Sequence, residues 1–497
     1  MNHKRFSARG ALAPLFTSLF AALVLAGCST TPTFEPVAPP AAPLAFKELD
    51  GLWAALGPAE AQSRGEWWKA FADPLLDDLV ARADRNNTSI QLASARLAQA
   101  RALLRSTDAD RLPQLGLNGG ANRQSASPAL GTTAAGNVFN AGLGASYEPD
   151  LFSRLAGASN AAAREAQSPE ALVQSTRLLV QSDVAQTYFG LRALDAERAL
   201  VRQTVVAYRD TLHLTERRHA AGDVAELDLA RVRTEVASTE SQALALDRRR
   251  AELEHALAVL LGELPSALTL TERLADKAGR TGGNDGTEGN DRSGALPQVP
   301  PGVPSTVLAR RPDVAAAQRT TQAAQAAQAR VGIAQAAWFP DVSLTASGGF
   351  ASADLGDLFK WSARAWGVGA LLSLPIFDGG RREAGVQSAN AQWDAAAAGY
   401  REQVLVAFRD VEDQLSSLRL LADQATAQAQ AVDSASRATV HSTSRYRNGY
   451  VSQLELLDAR RSELANRRQA LQVRSAQYQS TIGLTRALGG GWGTTPV

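Results

Sequence analysis

The 497-residue chain has one cysteine and few histidines, and these shortages exclude several kinds of site. A single thiol cannot form an internal disulfide, so the fold must be stabilised by packing. His213, His219, His255 and His441 show neither HExxH spacing nor clustering, and no phosphate-binding glycine loop or Ser/His/Asp signature is present. The sequence therefore predicts that the chain is not an enzyme, with no catalytic residue, metal site or non-covalent cofactor.

Excess charge and long apolar runs are also missing. The chain has 51 basic and 50 acidic residues, a formal net charge of +1, which gives no electrostatic reason to expect nucleic-acid binding. Aromatic residues make up only 6%, and Ala, Gln, Leu and Arg dominate long stretches, a composition that favours long helices. Beyond the N-terminal leader, no run reaches about 18 apolar residues, so any membrane-spanning part must be built from β-strands.

The N-terminus itself carries a leader. Lys4, Arg5 and Arg9 precede an apolar stretch, residues 11–26, which is typical of a secretory signal. The stretch ends in Leu-Ala-Gly-Cys at 25–28, which resembles a bacterial lipobox and predicts cleavage before Cys28 and lipidation of its thiol. Cleavage would leave 48 of the 51 basic residues and all 50 acidic ones. The alternative is an ordinary signal peptide with an incidental cysteine. Lipidation would anchor the chain in the bacterial envelope without spanning the membrane.

An internal duplication organises the rest. Displacing the sequence by 227 residues superposes Asp183 on Asp410, Gly222 on Gly449 and Leu261 on Leu488, and the offset holds over roughly 150 residues, too long a period for a solenoid. The predicted organisation is a signal peptide (1–27), a lipidated tether (28–65), a first repeat (66–262), a linker with a disordered Gly/Asp-rich insert (263–312) and a second repeat (313–489).

Each repeat is predicted to contain a helix, two strands and two long helices. Long helices are expected at 154–221 and 381–448, each returning through Gly222 or Gly449 in the left-handed C-cap conformation. Leu457, Leu464 and Leu471 recur every seven residues, which indicates a coiled-coil stripe. Pro169 is expected to kink or restart the first long helix. Alternation of apolar and polar residues predicts strands around 115–117, 139–147, 342–350 and 366–376.

Four strands do not suffice to span a membrane alone. An open sheet edge in lipid leaves backbone groups unpaired at several kcal/mol each. Two copies would supply eight strands with a packed interior, whereas three would supply twelve and leave room for water. The predicted fold is therefore mainly α with a membrane β-barrel: a homotrimeric 12-stranded barrel, four strands per chain, continued by a long periplasmic α-helical barrel.

Several stretches carry a family resemblance: EWWKAFADPLLDDLV at 66–80, ARRPDVAAAQ at 309–318, ARVGIAQAAWFPDVSL at 329–344, SLPIFDGGRREAG at 373–385 and RYRNGYVSQLELLDARRS at 445–462. Together with the lipobox, they resemble TolC-type outer-membrane efflux proteins of the NodT-like lipoprotein branch. The resemblance implies a bacterial outer-membrane location, with a part that extends into the periplasm, and a homotrimer. It also implies a periplasmic adaptor and an inner-membrane transporter of the resistance-nodulation-division type as partners, besides membrane lipid.

The function that follows is the exit duct of a tripartite pump, which passively conducts drugs or other small molecules. Two related alternatives stay open: a duct for metal cations and a duct for type I protein secretion. A third alternative, of another class, is a structural envelope lipoprotein without a pore. Strand pairs and duplication speak against that last alternative, because a spacer needs neither.

The resemblance also implies a gate at the periplasmic helix tips. It places Leu454 and Asp458 in the lumen, with Glu455 as a further member of the ring. Three-fold symmetry would bring the carboxylates together and favour cations. The alternative is that both acidic residues are ordinary solvated helix positions. The duplicate of Asp458 is Arg231, so only one repeat can supply an acidic ring.

The turns between the long helices are the predicted adaptor contacts. The residues concerned are Gly222, Val224, Asn448, Gly449 and Val451. Leu227 and Leu454 occupy equivalent positions and would extend these contacts into repeated grooves. Packing within the chain is an equally good explanation for the leucines.

Overall fold

The computed structural model describes residues 46–48, 65–124, 136–151, 154–272, 296–297, 311–322, 341–374 and 376–490. Cys28, the predicted signal peptide and most of the predicted linker insert lie outside these residues. A 3₁₀ turn, Trp67–Phe71, is followed by helices and strands, and residues 312–322 are also helical. In chain order the elements are α1 (Pro74–Asn86), α2 (Thr88–Ala109), β1 (Gln114–Gln124), β2 (Gly136–Tyr147), α3 (Arg154–Ala220), α4 (Glu226–Leu260), β3 (Asp341–Ser352), β4 (Arg364–Ser373), α5 (Arg381–Arg447) and α6 (Gln453–Ala487).

The long helices recur with equal lengths. Both α3 and α5 contain 67 residues, and they begin at Arg154 and Arg381; 381 minus 154 gives the offset of 227 found in the sequence. Both α4 and α6 contain 35 residues and keep the same offset. The predicted class, mainly helical with four strands per chain, is confirmed. The predicted domain boundaries stay predictions.

Two details of the expected elements are refined. Pro169 lies inside α3, which continues without restarting, so the expected restart is wrong and the alternative, a kink, stays a prediction. Proline removes one helix hydrogen bond, and the many other bonds of a 67-residue helix keep it continuous. Strand β4 ends at Ser373 rather than continuing to Ile376, because Pro375 has no N–H to donate to a strand partner.

By contact, the chain divides into two compact units. One unit contains the sheet, with chain segments 97–168 and 317–400, and the other contains segments 39–96, 169–316 and 401–497. In the first unit, the four strands form one antiparallel sheet in the order β1-β2-β3-β4. Strands β1 and β4 are therefore its edges.

The strand register sorts side chains onto two faces. Leu117 pairs with Leu143, Leu143 with Gly348 and Gly348 with Trp366, so this row lies on one face. That face, called here the apolar face, carries Leu115, Leu117, Phe139, Ala141, Leu143, Ala145, Tyr147, Val342, Leu344, Ala346, Phe350, Val368, Ala370 and Leu372, besides Trp366. The opposite, polar face carries mainly amide, hydroxyl and glycine positions, among them Asn118, Asn140, Ser146, Thr345 and Ser347. The alternation predicted from the sequence is therefore continuous across all four strands.

The second unit is held by a hydrophobic core around α1. Leu76, Leu79, Val80 and Ala83 recur at helical spacing and are fully buried. Helix α1 begins at the cap residue Asp73, whose Oδ1 accepts a hydrogen bond of 3.0 Å from the backbone N–H of Leu75. The core continues through Trp67, Phe71, Tyr188, Leu191, Leu257, Leu415 and Ile482.

Two chain segments outside the helices are fastened to this unit. Phe46 is buried in the core, and the backbone N–H groups of Lys47 and Glu48 donate to the carboxylate of Glu412 at 2.7 and 3.0 Å. After α4, the carbonyl oxygen of Leu270 accepts a 2.6 Å hydrogen bond from Arg250. Part of the predicted tether and the start of the predicted linker are thus packed against the helices.

Arg311 ties the start of the second repeat to this core. It is 6% exposed and forms ion pairs with Asp313 at 2.6 Å and Asp410 at 3.2 Å. It also donates to the carbonyl oxygen of Ala487 at 3.3 Å. In the first repeat the matching end of α4 is bound differently, because Asn87 donates to the carbonyl oxygen of Leu260 at 2.7 Å.

Among the residues described, no helix combines the length and the apolar character needed to cross a membrane.

Candidate gate at the helix tips

Two turns of the same construction join the long helices in the second unit. At the end of α3, the N–H of Asp223 donates to the carbonyl oxygen of Arg218, and Gly222 has φ +83°. At the end of α5, the N–H of Tyr450 donates to the carbonyl oxygen of Arg445, and Gly449 has φ +76°. Both are left-handed helix ends in which glycine avoids the steric cost of a Cβ atom. The predicted conformation of both glycines is confirmed.

The helices that return from these turns begin differently. Helix α6 begins after Ser452, whose hydroxyl accepts a 3.4 Å hydrogen bond from the N–H of Glu455, as in the first half of a capping box. Helix α4 begins after Ala225, which has no side-chain cap. The second turn is therefore the better capped of the two, by about 1 kcal/mol on the usual scale of such caps.

The leucines predicted at the tips are exposed in this chain. Leu227 and Leu454 keep 60% and 42% of their side-chain surface open to solvent, whereas Val224 and Val451 are half-buried. Packing within the chain therefore does not explain the two leucines. Gly222, Asn448 and Gly449 are exposed as well. The adaptor contacts themselves stay a prediction.

The acidic residues of the predicted gate have basic partners. Asp458 forms an ion pair of 3.2 Å with Arg461, one turn further along α6. The guanidinium of Arg461 also contacts Glu235 on α4. Glu455 lies 3.6 Å from Arg445 at the end of α5. All the carboxylates named here are thus within reach of a guanidinium, and the gate assignment stays a prediction.

A buried polar layer lies beneath these ion pairs, between α3 and α6. Arg460 donates to the hydroxyl of Thr211 at 2.6 Å and to the carbonyl oxygen of Ala207 at 2.9 Å. Burial lowers the pKa of Arg460, because the guanidinium is removed from water. The amide of Gln453 donates to the hydroxyl of Thr215 at 2.8 Å. The first two turns of α6 are therefore bound to α3 by neutral acceptors.

The coiled-coil stripe of α6 packs against α3 and α4. Leu457 is buried with Tyr208, Val232 and Val236, and Leu464 packs against Leu194, Val201 and Leu246. Tyr208 is 1% exposed, and burial raises the pKa of its hydroxyl to about 12. The seven-residue spacing read from the sequence thus marks the buried seam of this helix.

The two repeats differ in charge at the candidate gate. Arg231, which corresponds to Asp458, pairs with Asp228 at 3.5 Å. The position that corresponds to Arg461 is Thr234, and the one that corresponds to Glu235 is Ser462. Arg461 of α6 pairs with Glu235 of α4, but the equivalent positions, Thr234 of α4 and Ser462 of α6, cannot form an ion pair.

No group of His, Cys, Asp and Glu that could hold a metal ion occurs in the part of the chain that the structure describes.

Comparison with known proteins identifies the family. The sequence profile of the family described as "Outer membrane efflux protein" matches residues 79–263 and 303–490, which include both hairpins of long helices. The chain belongs to the outer membrane efflux protein family. The two matched ranges correspond to the two repeats.

Curated relatives match over nearly their full length. The cation efflux system protein CusC of Escherichia coli O6:H1 is 32% identical over 95% of this chain and 97% of its own length. The solvent efflux pump outer membrane protein SrpC of Pseudomonas putida is 33% identical over the same shares. The pyoverdine export outer membrane protein OpmQ of Pseudomonas aeruginosa is 34% identical over 95% of this chain and 96% of its own length.

Solved structures share the fold. The outer-membrane channel OprN matches with a TM-score of 0.80 and 28% identity, covering 94% of this chain and 100% of that chain. The open state of the Neisseria gonorrhoeae MtrE outer membrane channel matches with a TM-score of 0.74 and 26% identity, covering 93% and 98%. The chain is thus an outer-membrane efflux channel component in family and in fold.

Sequence reasoning missed the basic side of the candidate gate. It identified Asp458 and Glu455 but neither Arg461 nor Arg445. Part of the signal was readable, because Asp458 and Arg461 are three residues apart on a helix, a spacing at which opposite charges meet. The contacts of Arg460 and Gln453 with α3 could not be read from spacing, because they join residues more than 230 positions apart in sequence.

Proposed function

We propose that this chain is the outer-membrane exit channel of a tripartite efflux pump, conducting small molecules passively. The observation that carries the proposal is the two-faced sheet. One face is mainly apolar over all four strands, and the other presents mainly glycines with uncharged amide and hydroxyl groups. A sheet with these two faces suits a wall between lipid and an aqueous passage.

Closure of that wall requires further copies. Strands β1 and β4 are edges, whose unpaired backbone groups cost several kcal/mol each in lipid. Pairing β4 of one copy with β1 of the next would satisfy both edges. Three copies would give twelve strands and a water-filled interior, which agrees with the homotrimer inferred from the sequence.

The helix tips would supply the gate and the docking surface. Leu454 and Asp458 lie in the first two turns of α6, and Leu227 and Leu454 are exposed beside the turns. Exposed leucines at equivalent places in two repeats offer six similar contacts per trimer to a periplasmic adaptor. The inner-membrane transporter, of the resistance-nodulation-division type, would supply the energy for transport.

The covalent lipid at Cys28 would hold the N-terminus in the membrane. From Cys28 to Phe46 the chain has enough residues to reach about 60 Å when extended, at about 3.3 Å per residue. Phe46 is buried and Glu412 binds the next two residues, so the C-terminal end of this stretch is fixed to the helical unit. Lipidation adds attachment beyond that of the sheet.

The cargo is set elsewhere in the pump. Relatives of 32–34% identity carry names that specify cations, solvents and pyoverdine. Because such similar channels are named for such different cargo, we infer that the transporter, and not the channel, selects the transported molecule. Drugs or other small molecules are therefore the proposed class, and the metal-cation duct remains the second candidate on the strength of the CusC relationship.

The first experiment is crosslinking in living cells, followed by purification through a C-terminal tag and mass spectrometry of the partners. Recovery of an adaptor and a resistance-nodulation-division transporter is expected. An ATP-driven transporter instead would assign the chain to secretion or ATP-driven efflux. Purified protein should also form conducting pores in planar bilayers, and a protein that never conducts would support the structural, non-pore alternative.

A further inference from the structure

The loop between β3 and β4 lies at a defined end of the sheet. Helices α2, α3 and α5 all join the sheet at its other end, since α2 leads into β1, α3 follows β2 and α5 follows β4. The connection 353–363 therefore lies at the end of the sheet opposite the helices. If the helices extend into the periplasm, as the proposed function requires, residues 353–363 lie at the outer surface of the membrane.

This loop is folded rather than extended. Two 3₁₀ turns, Leu355–Asp357 and Trp361–Ala363, flank Leu358, whose side chain is buried. Lys360 forms an ion pair of 2.6 Å with Asp357. The loop therefore presents its remaining side chains in fixed positions.

Its aromatic residues extend the apolar face. Phe359 packs edge-on against Phe350 with ring centroids 5.7 Å apart, and Phe350 belongs to the apolar face. Phe359 and Trp361 are each 73% exposed, and Trp366 on the same face is 80% exposed. Aromatic side chains at the border of an apolar band are typical of the interface between membrane and water.

A guanidinium lies among these rings. Arg364 pairs with Phe350 in the strand register and so lies on the apolar face. Its guanidinium stacks 3.3 Å from the centroid of the Trp361 ring, and its Nε donates to the carbonyl oxygen of Trp361 at 2.8 Å. Within the described ranges, no carboxylate forms an ion pair with it. A charge on a lipid-facing surface is costly unless an opposite charge meets it.

We propose that the aromatic–arginine edge, formed by Phe350, Phe359, Trp361, Arg364 and Trp366, binds the phosphate group of an anionic lipid in the outer leaflet. The inference rests on the proposed membrane location. The rings contact the acyl and glycerol region, and the guanidinium, held flat by Trp361, directs its remaining N–H groups to phosphate oxygens. Charge complementarity and continuity with the apolar face select lipid over another copy of the chain, whose edge strands pair through the backbone.

The test measures lipid retention by the full-length purified protein. The protein is exchanged into detergent micelles that contain equal amounts of dioleoyl phosphatidylglycerol and dioleoyl phosphatidylcholine, which differ in headgroup charge, and bound lipids are counted by native mass spectrometry. Arg364→Gln should lower the retention of phosphatidylglycerol about tenfold, equivalent to about 1.4 kcal/mol, and leave phosphatidylcholine unchanged. Arg364→Lys should give an intermediate loss, because an ammonium keeps the charge but not the planar stack.

The matched control is Arg401→Gln, which removes an exposed arginine from α5. It should retain both lipids as the wild type does. Unchanged retention in Arg364→Gln, or an equal loss in Arg401→Gln, overturns the proposal. A change in oligomer mass without a change in lipid retention also overturns it and assigns the edge to contact between copies. Conductance of the same variants in planar bilayers of phosphatidylcholine tests the channel separately, so the two failures are distinguishable.

Discussion

The guanidinium of Arg461 contacts the carboxylate of Glu235 and so joins α6 to α4 near the helix tips. The same guanidinium pairs with Asp458 at 3.2 Å. One arginine therefore compensates two carboxylates, one of which belongs to the predicted gate. This relationship changes what the gate is expected to do, because the charge of Asp458 is partly balanced by its own helix.

Replacing both gate carboxylates should change ion flow. The double variant Asp458→Ala with Glu455→Ala should raise the conductance or weaken the cation preference in planar bilayers, because three copies would lose six negative charges at the constriction. The matched control is Asp423→Ala with Asp433→Ala, which removes two exposed carboxylates from α5. Conductance and selectivity equal to those of the wild type would remove the gate assignment and leave the fold unchanged.

Removing the compensating charge should act in the opposite direction. Arg461→Gln leaves Asp458 and Glu235 without their shared partner, so the cation preference should increase. Because the Glu235 side chain is only 13% exposed, leaving its carboxylate unpaired should also lower the unfolding free energy, by about 1–3 kcal/mol. Reversal potentials in a salt gradient measure the preference. Arg437→Gln, which breaks the exposed pair with Asp433, is the control and should leave the reversal potential unchanged.

Two turn glycines should differ in their tolerance of alanine. Gly222 and Gly262 both have positive φ, +83° and +71°, but only Gly262 is crowded. A Cβ atom at Gly262 would lie 2.3 Å from the carbonyl oxygen of Asn86. A Cβ atom at Gly222 would have no described atom within 4 Å. Gly222→Ala should cost about 1–2 kcal/mol of stability from backbone strain alone. Gly262→Ala should cost more, and thermal unfolding followed by circular dichroism would rank the two; equal melting temperatures would show that the contact with Asn86 is not rigid.

Loss of Arg311 should destabilise the second unit strongly. Arg311→Ala leaves Asp313 and Asp410 without their buried partner, at a cost of about 3–5 kcal/mol. Arg311→Lys should recover only part of this stability, because an ammonium group cannot make the paired contacts that the planar guanidinium makes with a carboxylate. Chemical unfolding of the detergent-solubilised protein gives the difference. Asp423→Ala, at an exposed position of α5, should be nearly neutral.

The same pair makes stability depend on acid. Burial alone would raise the pKa of Asp313, but the hydrogen bond and charge of Arg311 lower it below its ordinary value of 3.8. A carboxyl group with a lowered pKa contributes stability that is present above the ordinary pKa and lost as the pH falls through the folded-state value. The unfolding free energy of the wild type should therefore lose this contribution below about pH 4. The unfolding free energy of Arg311→Ala should fall less steeply over the same pH range. Parallel acid-unfolding curves for the two proteins would contradict the assignment.

Cysteine substitution should distinguish the two faces of the sheet. Gly116 lies on the polar face with open space around it, and Leu117 lies on the apolar face. A charged, membrane-impermeant thiol reagent should label Gly116→Cys and lower its single-channel current, but should not change the current of Leu117→Cys. The wild type is the control, because the proposed lipidation of Cys28 would leave it no free thiol. Block of Leu117→Cys would reverse the assignment of the faces.

Much of the fold was predictable because its signals are local. Trp366, Val368 and Ala370 alternate with Gly367 and Gly369, and this alternation located β4 without knowledge of its partners. Gly222 and Gly449 marked the helix ends, because few other residues adopt a positive φ at low cost. The internal offset then placed the elements of one repeat from those of the other.

The remainder depended on contacts between distant parts of the chain. Phe46 lies in a segment that looks like a tether, and only its burial beside α1 and α5 residues shows that this part of the segment is packed in the core. The partnership of Arg461 with Glu235 joins positions 226 apart. Neither composition nor periodicity carries information on such pairs, and the end of β4 was misjudged because the apolar alternation continues past Pro375.

The equal lengths of the two hairpins restrict how this protein can change in evolution. Each residue inserted into a helix advances it by about 1.5 Å and rotates everything beyond by about 100°. An insertion in α3 alone would shift its turn relative to that of α5, and would also rotate its buried seam towards solvent. Substitutions are free of this penalty, and the repeats have diverged widely in side chains while keeping 67 and 35 residues. Viable length variants should therefore carry matched changes in both hairpins, in steps close to seven residues.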